Sequence, residues 1–67
     1  MKSITPRERS ILEFIGQGLS TRKIAALLSV SINTVQSHRR NLLLKFNAAN
    51  SAELVRKAFA EDQTDSS

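Results

Sequence analysis

Asn33, Gln36, Ser37 and Arg40 carry the side chains best suited to recognition chemistry in this sequence. At about 100° per residue they share one face of a helix. The chemistry they offer is hydrogen bonding, not bond making. Arg can grip guanine O6 and N7 together, Gln or Asn can pair with adenine N6 and N7, and a Ser hydroxyl can serve either base. Nothing comparable supports catalysis. His38 is the single histidine and there is no cysteine, so neither a thiolate zinc site nor a disulfide can form, and one imidazole cannot hold a metal alone. No nucleophile or carboxylate accompanies His38 in the sequence, so neither an enzyme nor a cofactor is expected.

The charge around these residues suits a polyanionic partner. The formal net charge is +4, but it is uneven. All ten Lys and Arg fall within residues 1–60, against Glu8, Glu13 and Glu53, which leaves that stretch at +7. Glu61, Asp62 and Asp65 give the last seven residues −3. From Phe14 through Ala52 there are 39 residues without one carboxylate. A surface unopposed in sign favours phosphate contacts. A basic body this small suggests nucleic acid, with solubility alone as the plain alternative.

With 67 residues the chain makes one small domain. Met1-Lys2-Ser3-Ile4-Thr5-Pro6 lacks the apolar run of a signal peptide. No segment nears the ~18 apolar residues of a membrane span. A cytoplasmic protein with no membrane partner is the expectation.

Four helices must position the candidate residues, which makes the expected fold an all-α four-helix bundle over residues 1–60. Thr5-Pro6-Arg7-Glu8 reads as a capping box with Pro at the first helical position. Ile11, Leu12, Ile15 and Leu19 give that helix its apolar stripe, and Gly18 its left-handed stop. Ser20 caps a second helix, Thr21 to Leu28, with Ile24, Leu27 and Leu28 expected inward. Ser29-Val30-Ser31 forms a tight turn, and Ser31 caps a third helix from about Ile32 to Phe46. Its Val35, Leu42 and Phe46 fall opposite Asn33, Gln36, Ser37 and Arg40. Asn47 is a second left-handed stop, and Asn50-Ser51-Ala52-Glu53 opens a fourth helix to about Ala60. The polar residues 61–67 read as an acidic disordered tail. No alternating apolar pattern bounded by hairpin turns competes with this reading.

A short helix, a tight turn and a longer helix with an apolar back and a polar front make a helix-turn-helix, Ser20 to Phe46, of a shape that a major groove accepts. Three blocks extend the likeness: Thr5-Pro6-Arg7-Glu8, Gly18-Leu19-Ser20-Thr21-Arg22-Lys23-Ile24-Ala25 and Thr34-Val35-Gln36-Ser37-His38-Arg39-Arg40-Asn41. With Lys45-Phe46 and Asn50-Ser51-Ala52-Glu53-Leu54-Val55, they resemble the LuxR/GerE-type (also NarL/FixJ) effector domain from about Ile4 to Ala60. The resemblance implies sequence-specific binding of double-stranded DNA by a bacterial-type transcription regulator, with the third helix in the major groove. It implies base contacts from Gln36, Ser37 and Arg40, to which the helical face adds Asn33. It implies phosphate contacts near Ser20, Thr21, Lys23, Thr34 and His38. Arg39 is a further phosphate candidate, beside an equally open internal pairing with Glu8 or Glu13, and His38 has an open packing alternative.

The resemblance also implies a weak homodimer on DNA through the fourth helix, and RNA polymerase as a further partner. Ala52, Val55 and Phe59 form one stripe of that helix, Leu54 and Ala58 another. The expectation is that one stripe packs inward and that Leu54 and Ala58 meet the second copy, unless a wide core absorbs both. The rival reading is a protein-interaction module docking through Leu44, Leu54 and Phe59. Against the family's pattern, Ser29 and Asn47 replace common glycines, Lys23 stands where an acid is frequent, Ser51 where Arg is frequent, and Leu44 where a polar residue is usual.

Overall fold

The computed structural model describes the backbone of residues 4–66 and the side chains of residues 4–60. Four helices follow one another: α1 Pro6–Gly16, α2 Thr21–Leu28, α3 Ile32–Lys45 and α4 Ser51–Ser66. Among the described residues there is no strand. The helix starts are set by local chemistry. Glu8 N donates to Thr5 Oγ1 at 3.1 Å and Thr5 N to Glu8 Oε1 at 3.0 Å, which completes the capping box with Pro6 at the first position. Ser20 accepts from Lys23 N and Ser31 from Thr34 N, each at 3.1 Å. Asn50 Oδ1 accepts from Glu53 N at 2.9 Å, while Glu53 reaches one residue further back, to Ala49 N.

The first three helices end alike. Leu19 N donates to Phe14 O at 3.2 Å, Val30 N to Ala25 O at 3.0 Å and Ala48 N to Leu43 O at 2.8 Å. Each bond spans a left-handed residue: Gly18 (φ 85), Ser29 (φ 58) and Asn47 (φ 52). This is the Schellman closure, in which the residue after the left-handed one also packs back on the helix. Phe14, Leu19, Val30, Leu43 and Ala48 accordingly lie half-buried against the core, and Ala25 lies within it. The chain thus reverses three times on hydrogen bonds that need no long loop.

α3 packs against α1, α2 and α4, and α1 also meets α4. The core is Ile11, Leu12 and Ile15 of α1, Ile24 and Ala25 of α2, Val35, Leu42 and Phe46 around α3, and Leu54 and Ala58 of α4. Full burial of such aliphatic side chains stabilises by roughly 1.5–3 kcal/mol each.

Three expectations change. Leu27 is 52% exposed. The small Ala25 turns inward instead, and the buried arc of Ile24, Ala25 and half-buried Leu28 rotates away from Leu27. Leu54 and Ala58, expected between two copies, are 0% and 3% exposed inside the bundle, so they are core residues and not a free interface. Leu54 also drops out of the rival docking surface, of which Leu44 and Phe59 remain exposed. Finally, α4 runs helically to Ser66, past the expected end near Ala60. No Gly or Pro follows Ala60 to stop it, and helix propagation adds one hydrogen bond per residue. The side chains of the acidic stretch 61–67 lie outside the described residues.

Candidate nucleic-acid interface

The site begins with the seating of α3. With Val35 and Leu42 fully buried and Phe46 nearly so, the opposite face is forced outward. Asn33, Gln36, Ser37 and Arg40 are all exposed on it, as the sequence predicts. Leu44, on the same face, is 73% exposed. At ~1.5 Å per residue, the stretch from Asn33 to Arg40 spans ~10 Å.

Each flank of α3 is tied to a neighbour. On the side facing α1, Lys45 Nζ lies 2.7 Å from Glu8 Oε1. Glu8 is the only buried charged residue among those described. The hydrogen bond from Lys45 holds its carboxyl below the ordinary carboxylate range, against the opposing effect of burial. The Thr5 N–H and the charges of Lys45 and His38 act in the same direction as that bond. On the opposite flank, Arg39 Nη1 donates to Thr21 Oγ1 at 2.8 Å, and Arg39 Nη2 donates to Ser51 Oγ. Neither Glu8 nor Glu13 takes Arg39, because Glu8 is engaged by Lys45 across the bundle and two hydroxyls lie within reach of the guanidinium.

The start of α2 meets the outward face of α3 in an open cleft of about 350 Å³, lined by Thr21, Gln36, Arg39, Arg40 and Leu43. Two residues of the base-contact set and two of the phosphate set are therefore neighbours in space. Ser20 and Lys23 are exposed at the same end of α2, where Ser20 Oγ is occupied as the cap. Thr34 is exposed and shares a 2.9 Å hydrogen bond with Ser31 across the cap of α3. His38 is half-buried, with Nδ1 sealed from solvent and without a hydrogen-bond partner. Lys45 and Ser51 lie outside the predicted site, although Ser51 holds Arg39 within it and Lys45 ties α3 to Glu8 of α1. Their partners lie 37 and 12 positions away in sequence, beyond any local signal.

Among the described residues no group of three His, Cys, Asp or Glu could hold a metal, and no helix is long and apolar enough to cross a membrane.

Known proteins are similar to this sequence. The pattern of the GerE family, "Bacterial regulatory proteins, luxR family", matches residues 2–58. "Transcriptional regulatory protein UhpA" of Escherichia coli (strain K12) is 43% identical over 56 residues, 84% of this chain and 29% of that protein. "Probable transcriptional regulator ycf29" of Cyanophora paradoxa is 41% identical over 56 residues, 84% of this chain and 27% of that protein. "Nitrate/nitrite response regulator protein NarP" of Escherichia coli (strain K12) is 48% identical over 44 residues, 66% of this chain and 20% of that protein. The matched stretch covers less than a third of the length of these relatives. Each of the three is described as a regulator. With its four helices and the match from residue 2 to residue 58, the chain belongs to the luxR family of bacterial regulatory proteins.

Proposed function

We propose that this domain binds double-stranded DNA with sequence preference, as the DNA-binding part of a transcription regulator. α3 enters the major groove and presents Asn33, Gln36, Ser37 and Arg40 to base edges. Ser20, Thr21, Lys23 and Thr34 meet backbone phosphates on either side. His38, with Nδ1 sealed, has only Nε2 for such a contact. The observation that carries this reading is the outward face of α3. It holds Asn33, Gln36, Ser37 and Arg40, all groups that read bases, beside the apolar Leu44, and it lies in a stretch free of carboxylates from Phe14 through Ala52. A second copy on the same DNA packs through the outer stripe of α4, Ala52, Val55 and Phe59, because Leu54 and Ala58 are committed to the core. Two α3 helices would then sit about one DNA turn, ~34 Å, apart.

Titration of the domain with duplexes selected from a random library, across a range of salt, tests the reading. Affinity should fall with salt by ~0.9 in log–log slope per phosphate neutralised. Arg40→Ala should lose ~1–3 kcal/mol on the selected duplex and relax one base position. Lys23→Ala should weaken all duplexes alike and flatten the slope by about one phosphate. No binding at low salt would overturn the proposal.

A further inference from the structure

We propose that Arg39 is a positioning residue for base reading and not a phosphate contact; this rests on the DNA-binding reading above. Its two terminal nitrogens are engaged by different elements. Nη1 donates to Thr21, the first residue of α2, and Nη2 donates to Ser51, the first residue of α4. A guanidinium is a rigid planar fork, so two bonds from its two ends fix its plane as well as its position. On the wheel of α3, Arg39 lies about 40° to one side of Val35, and Lys45 lies about 80° to the other. Lys45 is tied to Glu8 of α1 on its own side. The two tethers oppose rotation of α3 about its axis in both directions.

That rotation is what base reading cannot tolerate. A recognition group must be held to within about 0.5 Å and 10–20° of its productive geometry by the residues that support it. The apolar back of α3 is Val35, Leu42 and Phe46 with half-buried Leu43 beside them, and apolar contact is not directional. The Arg39 fork supplies the missing direction on the side of Gln36 and Arg40, the two base-reading residues among those that line its cleft. It also joins the start of α4 to the reading helix, so the element proposed to hold the second copy and the element proposed to read DNA turn together.

The test uses Arg39→Lys, which keeps the charge but offers one compact cation where two directed donors are needed, and Ser51→Ala, which removes the α4 anchor alone. Both are measured on the duplex that the wild type enriches from a random library and on a scrambled duplex, with thermal unfolding run alongside to establish that each variant is folded. Arg39→Lys should keep the salt slope and the affinity for scrambled DNA, while preference for the selected duplex falls about tenfold, comparable to one lost bidentate base contact. Ser51→Ala should lower the preference in the same direction, and the double variant should be no worse than Arg39→Lys, since both cut one linkage. A merely structural role would change the unfolding midpoint and leave the preference of the folded protein intact. Unchanged preference in Arg39→Lys overturns the proposal, as does an Arg39→Ala variant that weakens both duplexes equally and flattens the slope by about one phosphate. If the wild type itself prefers no duplex, the DNA reading falls and takes Arg39's role with it. If the wild type discriminates and Arg39→Lys discriminates equally, positioning alone falls.

Discussion

Ser29 stands between the helix proposed to meet phosphates and the helix proposed to read bases. Its φ of 58 is left-handed. An L-residue with a Cβ pays roughly 1–2 kcal/mol there, and glycine pays nothing sterically but has more freedom to lose on folding, roughly 0.5–1 kcal/mol. The difference predicts that Ser29→Gly stabilises by about 0.5–1 kcal/mol, a rise of about 2–8 °C in the unfolding midpoint for a domain this size. Asn47→Gly should gain less, because Asn tolerates the left-handed region better than Ser does. A thermal scan decides it, and a lower midpoint for Ser29→Gly would mean that its side chain holds something the backbone does not explain. The sequence made the turn legible, since Ser29-Val30-Ser31 interrupts two apolar patterns and Ser31 caps the next. It did not fix the sign of φ at Ser29, because a serine is compatible with several turns and the closure bonds are backbone bonds.

At the scale of elements, helix ends were legible and helix rotations were not. Caps such as Thr5, Ser20 and Ser31 act on groups three residues away, so the sequence contains both partners. Which stripe of α4 faces inward depends on where α1 and α3 lie, and the pattern of α4 alone offers two: Leu54 with Ala58, and Ala52 with Val55 and Phe59. The contact of α1 with α4 explains part of the choice. A Cβ at Gly16 would come within 3.0 Å of the Phe59 ring, so the ring of Phe59 lies across the end of α1 and needs the glycine beneath it. Two effects then oppose each other in Gly16→Ala. Alanine gains up to ~1 kcal/mol in helix propensity, less at a last-turn position, while the 40%-exposed ring must be pushed outward by a few tenths of an ångström. Gly16→Ala should therefore be close to neutral by itself and stabilising by about 0.5–1 kcal/mol in a Phe59→Leu background. Chemical denaturation of the wild type, the two single variants and the double variant measures the coupling. Additive effects would show that the ring does not rest on residue 16.

For the whole molecule, the bond from Lys45 to Glu8 bridges 37 positions of the chain and ties the end of α3 to the start of α1. Glu8 does two things through one oxygen: Oε1 accepts from Thr5 N at 3.0 Å and from Lys45 Nζ at 2.7 Å. The sequence revealed the first role, because the capping box is local, and left Lys45 unassigned. The consequence for stability follows from the direction of the shift. The Glu8 carboxyl is held below its ordinary value in the folded protein, so the unfolded chain binds its proton first as pH falls. The stabilisation is fully present above the unfolded value, about 4.3, and is lost as pH falls through the lower folded value. Glu8→Gln separates the two roles, since the amide oxygen can still accept from Thr5 N but carries no charge for Lys45. It should cost about 1.5–3 kcal/mol near pH 7, the range for a hydrogen bond to a charged group. The cost should shrink toward zero as the wild type is acidified through the folded value of Glu8, because protonated wild type and variant then carry the same charge at this position. Unfolding free energies measured from pH 7 down to pH 2 read this directly. A difference that stays near zero over that whole range would show that Glu8 stabilises the bundle through its cap alone, and that Lys45 holds α3 to α1 by some other contact.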